Sequence, residues 1–333
     1  MAKISDIGEF GLIGRFEKLF KVPGNITRGI GDDCAVIKEN GSYLILTADA
    51  LVEDVHFKLE YTPPRMLGYK SLAVNLSDLA AMASEPTAAI VTLAAPRDTD
   101  SDFVMEFARG MNECARKYDC PVIGGDTTGS KKHIFINVAV IGETKTEPVM
   151  RSGAGEGDLI AVAGNIGESS AGLELLIENA KGRKLSWGDK IFKKRLARAH
   201  LKPEPMVKEA LEIRKVLKPT SMIDISDGLS SELNHISRAS GVKLVIDSGK
   251  VPIGRSLSDF CRDRSIDPQQ IAIKGGEDYA LLFTFKKKQV DKIRSLKLNA
   301  PVNVIGEVSR GRGVYMRRDN KLEKLTSRSY THF

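Results

Sequence analysis

Asp224 and Asp227 lie three residues apart in Met222-Ile-Asp-Ile-Ser-Asp-Gly-Leu229, where a short apolar run hands over to a helical pattern. Gly228 permits the turn. Leu229, Leu233 and Ile236 follow at i, i+4 and i+7, the stripe of an amphipathic helix. Strand ends and free helix N–H groups meet at such junctions, so α/β proteins collect ligands there. Taken alone, the motif is served equally well by Asp227 as a helix cap and Asp224 as a solvated strand end. The chain repeats the arrangement, however. Asp33 enters a strand in Ile30–Ile37, Glu39-Asn-Gly-Ser42 is a hairpin signal, and Asp49 closes the returning strand Tyr43–Asp49. The outer ends of that hairpin bring Asp33 and Asp49 near each other. Asp78 sits in a helix spanning Pro64–Ser84 that is almost wholly small or apolar between Ala73 and Met82. A buried carboxylate there needs a cation or donors: a metal ion, an internal salt bridge or a cap. Asp126 ends a strand in Pro121-Val-Ile-Gly-Gly-Asp126, and Glu277 follows a second Gly-Gly pair entering a strand. Glycines let backbone N–H groups approach a ligand closely, although a tight turn uses them too.

These acids repel if they converge. Two unit charges at 4 Å cost about 1 kcal/mol in water and about 4 kcal/mol at an effective dielectric of 20. Such a cluster needs cations. The ligands are all hard oxygens, without paired His or Cys, which fits Mg²⁺ rather than zinc. Carboxylate-bound Mg²⁺ usually holds phosphates as well, so the reaction class is phosphoryl transfer or another ATP-using step. The glycine-rich turn Gly164–Leu173 lacks the Gly-Lys-Ser/Thr ending of a P-loop.

The elements that position these acids divide into two groups. Helices are expected at Glu9–Phe20, Phe103–Tyr118 and near Leu257–Arg264, and strands at Ala88–Ala95, Ile134–Glu143, Asp158–Ala163 and Val242–Ile246. Periodicity fails between Thr144 and Gly157. A chain of 333 residues divided there gives two domains, 1–147 and 148–333, of α+β (mixed α/β) type, each with its own sheet. A faint echo links the halves: Val138-Ala-Val-Ile-Gly-Glu143 and Val302-Asn-Val-Ile-Gly-Glu307 each follow a Gly-Gly-acid. Arg151, in the break, is either a surface residue or a phosphate clamp. The formal charge of +7 is concentrated in Lys181–Lys202 and Lys286–Arg318, which read as solvated faces more than as a nucleic-acid groove. A basic nucleic-acid-binding protein is the alternative from another class, and steep salt-dependent binding without ATP turnover would mark it. Hydrophobic content of 42% and charged content of 28%, with no membrane-length apolar run and no signal-peptide pattern, suit a cytoplasmic protein. Cys34, Cys114, Cys120 and Cys261 show no Cys-x-x-Cys spacing and are expected to be reduced and mostly buried.

Along its whole length the chain resembles the thiamine-monophosphate kinases of the AIR-synthetase-like (PurM-like) superfamily. The segments that carry the resemblance are Gly8–Ile13, Gly29-Ile-Gly-Asp-Asp33, Asp49 through His56-Phe57, Leu72-Ala-Val-Asn-Leu-Ser-Asp-Leu-Ala-Ala-Met82, Ile123-Gly-Gly-Asp-Thr-Thr128, Arg151-Ser-Gly153, Ile223-Asp-Ile-Ser-Asp-Gly-Leu229, Gly275-Gly-Glu-Asp-Tyr279 and the closing His332-Phe333. The resemblance implies ATP-dependent phosphorylation of thiamine phosphate to thiamine diphosphate. It also implies a homodimer whose N-terminal sheets pair into a barrel, with sites at the subunit interface and a C-terminal α/β domain. Carried over by position, Asp33, Thr47, Asp49, Asp78, Asp126, Asp224 and Asp227 would hold several Mg²⁺ ions. Gly125, Asp126, Arg151 and Ser226 would contact ATP, and His56, Glu277 and Tyr330 the thiamine moiety. Two positions depart from the family: Ala48 where a second hydroxyl is often found, and Ala108 where many members place a tyrosine against the adenine. The acceptor is a phosphate monoester, largely dianionic near neutral pH, so direct in-line transfer without a general base is expected. Within the superfamily the alternatives are aminoimidazole ribonucleotide synthetase and selenophosphate synthetase. The latter resembles a chain with a reactive cysteine near its N-terminus, whereas the first cysteine here is Cys34.

Overall fold

Asn40 and Gly41 both take positive φ, 45° and 85°, the primed turn that matches strand twist. They join β2 (Ala35–Glu39) to β3 (Ser42–Val52), paired antiparallel from Glu39↔Ser42 to Ala35↔Leu46. The strand begins only at Ala35, so Asp33 lies in the bend before it rather than inside it. The computed structural model describes residues 3–182, 191–319 and 321–326. Before the hairpin come α1 (Ile4–Ile7), α2 (Glu9–Leu19) and β1 (Ile26–Arg28). After it come α3 (Pro64–Ala81), β4 (Glu85–Pro96), α4 (Ser101–Lys117), β5 (Val122–Ser130) and β6 (Phe135–Thr144). The first sheet is ordered β1-β2-β3-β6-β4-β5, and all its pairs are antiparallel except β4–β5.

The second half runs β7 (Asp158–Ala163), α5 (Glu168–Ala180), α6 (Ile191–Leu201), α7 (Val207–Leu217), β8 (Ser221–Ile225), α8 (Leu229–Ser240), β9 (Lys243–Asp247), α9 (Arg255–Arg264), α10 (Pro268–Lys274), β10 (Ala280–Lys286), β11 (Val302–Ser309), β12 (Gly313–Arg318) and β13 (Lys321–Lys324). Its sheet is ordered β13-β12-β9-β11-β7-β10-β8. Alternation along β7 assigns its faces: Ala161 and Ala163 join the core shared with the first sheet, while Ile160 and Val162 join a second core under α5, α8 and α9. The shared core runs from β2, β3 and β6 through α3, α4 and α7 to β10.

α3 sits at its centre, buried on nearly every side from Leu67 to Ala81 with Asp78 as the break. The small and apolar segment predicts that burial, although the helix stops at Ala81 instead of Ser84. Ala83, with φ 50°, turns the chain out of the helix. Among the described residues the outer face of the first sheet has no such cover. Ile90, Phe135 and Ile141 are 50%, 37% and 41% exposed, and register places them on one face. β5, at the edge of that sheet, runs on to Ser130 instead of ending at Asp126, because its parallel neighbour β4 supplies partners through Ser130. The four cysteines are free and buried. No helix among the described residues is long and apolar enough to cross a membrane.

Candidate active site

The acids are brought together by α3. Its turn at Ser77-Asp78 reaches both sheets: Thr47 Oγ1 of β3 donates to Asp78 Oδ2 at 2.6 Å, and Ser77 Oγ donates to Asp224 Oδ2 of β8 at 2.6 Å. Asp33 enters from the bend before β2, and carboxylate oxygens of Asp33, Asp78 and Asp224 lie within 4.8 Å of one another. Asn75, one turn before Asp78, accepts at Oδ1 from the Asp49 backbone N–H at 2.9 Å and so pins β3 beside the cluster. Asp224 is 1% exposed, so it is not a solvated strand end. Asp227 is not the helix cap either, because Gly228 occupies the N-cap of α8. Among the described residues Asp78 takes its hydrogen bond from the Thr47 hydroxyl, and no salt bridge reaches it.

Electrostatics follow from this crowding. Burial, then the charges of Asp49, Asp224 and Asp33, push Asp78 well above the carboxylate range, against the Thr47 hydroxyl. Burial and the Asp33 charge push Asp224 up to about 7, against Ser77. Burial also raises Asp33, although Arg151 opposes it through Nη2 at 2.5 Å and Nε at 3.0 Å from Oδ1. Arg151 N–H donates in addition to Asp32 Oδ1 at 3.2 Å, and burial and the Asp33 charge push Asp32 up to about 6. Glu232 of α8 accepts from Asp227 N–H at 2.9 Å, and burial followed by the Asp227 charge raises it well above its usual value. These carboxylates hold their negative charge together only when a cation joins them. Asp33 Oδ2 is buried without a hydrogen-bond partner among the described residues. Three converging carboxylates, one of them carrying an orphaned oxygen, and no His or Cys among them fit a divalent cation such as Mg²⁺.

The remaining expected residues are placed less tightly. Gly228, at φ 114°, lies where a Cβ would meet the carbonyls of Lys274 and Gly275 at 2.9 Å. Ser226-Asp227 therefore packs directly against the loop carrying Glu277, whose N–H donates to Ser226 O at 2.6 Å. That loop is coil rather than strand. Glu277 and Tyr279 are held at φ 61° and 52°, a conformation that costs non-glycine residues about 1–3 kcal/mol each. His56 accepts at Nδ1 from Val52 N–H at 3.0 Å, at the end of β3. Asp126 is not in the cluster. It stands on β5, three strand spacings from β3 in the same sheet, roughly 14 Å. Asp126 and Thr127 instead line a cleft of about 500 Å³ between β4, β5 and α4, walled by Val91, Leu93, Phe107, Ala108 and Met111. Gly125 beside it takes φ 151°, and a Cβ there would meet Val91 O at 1.7 Å. This glycine thus serves the close approach of β4. Tyr330 and the closing His332-Phe333 lie outside the described residues.

Comparison with known proteins bears on the whole chain. Residues 31–144 match the family model for the N-terminal domain of AIR synthase related proteins, and residues 155–319 the model for the C-terminal domain. A thiamine-monophosphate kinase of Aquifex aeolicus is 35% identical over 331 residues, covering 99% of this chain and 100% of the relative. The chain belongs to the thiamine-monophosphate kinase family. The Bacillus subtilis kinase is also 35% identical, over 98% of this chain and 99% of its own. Among solved structures, AaThiL complexed with AMPPCP and TMP superposes with a TM-score of 0.88 at 34% identity, covering 100% of this chain and 99% of the other. The mixed α/β, PurM-like architecture expected from the sequence is therefore the family's own. Sequence reading missed Ser77, Asn75, Asp32 and Glu232 around the cluster. Asn75 carried a signal, lying three residues before Asp78 on the same helical face. Ser77 carried none, because its partner Asp224 is far away in the chain.

Proposed function

We propose that this protein transfers the γ-phosphoryl group of ATP to thiamine phosphate, giving thiamine diphosphate. The observation that carries the reading is the convergence of Asp33, Asp78 and Asp224 where α3 packs between the two sheets, in a chain of this family. The AaThiL complex supports both substrates, since AMPPCP is an ATP analogue and TMP is thiamine phosphate. Asp33, Thr47, Asp49, Asp78, Asp224 and Asp227 would hold Mg²⁺, with Asp126 joining from across the subunit interface. Bound there, the metal supplies charge neutralisation between two phosphate groups that otherwise repel.

The chain's own residues do the rest. The acceptor monoester has a second pKa of about 6, so its attacking oxygen is already deprotonated at neutral pH and no side chain need act as base. Positioning is the remaining task. Gly125, Asp126, Arg151 and Ser226 would orient ATP, with the base in the apolar cleft beside Ala108. Arg151, bound to Asp33, stands ready to exchange that carboxylate for a phosphate. His56, Glu277 and Tyr330 would hold the thiamine moiety.

The active form would be a cytoplasmic homodimer of two-domain chains, divided at 147/148. The uncovered apolar face of the first sheet and its open edge at β5 support pairing with a second copy. The deciding experiment follows thiamine diphosphate formation from ATP and thiamine phosphate while Mg²⁺ is titrated, with free thiamine as control. Mg²⁺-dependent product from the phosphate alone is expected. ATP binding without that product would redirect the assignment to another reaction of the superfamily.

A further inference from the structure

Lys70 belongs to α3, yet its ammonium lies 2.8 Å from Glu277 Oε1, in the loop before β10. The other carboxylate oxygen, Oε2, stands 3.1 Å from Nδ1 of His200 in α6. That same nitrogen is 3.2 Å from Ser169 Oγ in the first turn of α5. Two remote parts of the chain thus converge on one carboxylate, and a third, Ser169, braces the histidine. The lysine and histidine side chains are 2% and 4% exposed, whereas Glu277 keeps 28% of its side chain open. An ammonium this deeply buried persists only with an anion beside it. Both partners are buried while part of the Glu277 side chain stays exposed, which leaves room for another group to reach it.

The charge balance is as informative as the geometry. Burial acts to raise the Glu277 pKa, but Lys70 and then His200 outweigh it and hold the carboxyl well below its ordinary range. Burial and the Lys70 charge lower His200, which keeps the imidazole neutral at pH 7. Lys70 therefore neutralises most of the Glu277 charge, and His200 adds a second contact that fixes its direction. The backbone at Glu277 is left-handed and tied to Ser226 O, so the side chain leaves the loop along one fixed path.

We infer that Lys70 and His200 are positioning residues that aim and neutralise Glu277, so that it meets the acceptor substrate as a hydrogen-bond acceptor and not as a counter-ion. This rests on the reading of Glu277 as an acceptor-binding residue. The group recognised is then an N–H donor, such as the exocyclic amine of a pyrimidine ring, rather than the thiazolium charge.

The test is steady-state kinetics of full-length Lys70→Met, Lys70→Arg, His200→Gln, Glu277→Gln and the Lys70→Met/Glu277→Gln pair, with each substrate varied separately. Lys70→Met should raise KM for thiamine phosphate about tenfold, with kcat and KM for ATP within about twofold of the parent. Lys70→Arg should restore most of the loss, and the double variant should be no worse than Glu277→Gln alone. His200→Gln, which keeps a donor, reports the same split if Lys70→Met does not fold, with an expected rise of about threefold. A folded Lys70→Met protein with unchanged KM for thiamine phosphate, or with both KM values raised alike, overturns the inference. Equal KM values for His200→Gln and the parent do so where Lys70→Met cannot be read. If Glu277→Gln itself leaves that KM unchanged, the acceptor-site reading of Glu277 fails instead.

Discussion

At the scale of single residues the site is a set of carboxylates whose charges the fold does not fully neutralise. The consequence is a pH dependence with a definite sign. Asp224, pushed up to about 7, and Asp78, pushed well above the ordinary range, bind protons more readily folded than unfolded. The metal-free protein should therefore lose stability as pH rises from about 4 through 7 and beyond, the reverse of a salt-bridged aspartate. Calorimetric Tm values in EDTA should fall from pH 6 to pH 8, and Mg²⁺ should flatten the trend by binding the ionised form. Asp78→Asn should flatten it as well, without metal. A Tm that climbs over that range in EDTA would show that the cluster does not govern the titration. Asp33, Asp78 and Asp224 were legible in the sequence because each flanks a strand or interrupts an apolar helix, whereas Asp49, expected to close its strand, lies inside β3, which pairs with β6 as far as Val52. Lys70 and His200 were not, since a lysine in a helix reads as solvated until the remote carboxylate that buries it is known.

At the scale of elements, local chemistry foretold what local chemistry controls. The Asn-Gly turn fixed the β2–β3 hairpin, and the apolar stripe after Gly228 fixed α8. Where a neighbour decides, the reading went astray: β5 continues past its glycines because β4 pairs with it, and the Glu277 loop is coil because it packs on Ser226. Gly125 shows what that neighbour demands. Gly125→Ala should destabilise the protein by roughly 2–4 kcal/mol through a positive φ and a clash with Val91 O. Urea unfolding measures this directly. A variant within about 0.5 kcal/mol of the parent would mean that β4 and β5 separate at little cost.

At the scale of the whole molecule the puzzle is Asp126, on β5, roughly 14 Å along the sheet from β3, the strand that flanks the cluster its type should join. A second copy resolves it if the uncovered sheet faces meet, bringing β5 of one protomer toward the acids of the other. Ile90→Glu places a charge in that face, where Ile90 is 50% exposed and its loss leaves the monomer core intact. Light scattering should then report a monomer with an unchanged circular dichroism spectrum, and turnover should fall about tenfold or more. A fully active monomer would return the whole site to one chain. Hydrophobic periodicity could not show this arrangement, which only the family resemblance implied, because an exposed apolar strand face and a buried one alternate identically along the chain.

The bond between Lys70 and Glu277 also has a history within each molecule's life. The two residues are separated by most of the chain, and a ribosome adds about 5–20 residues each second. The N-terminal sheet and its central helix thus emerge with a lysine bound for the interior and wait roughly 10–40 s for the anion that lets it enter. During that interval α3 has only one of its two sheets to pack against. The core shared by the two sheets can close only after β7, β8 and β10 have been made, so its final locking is timed by the synthesis of the second half.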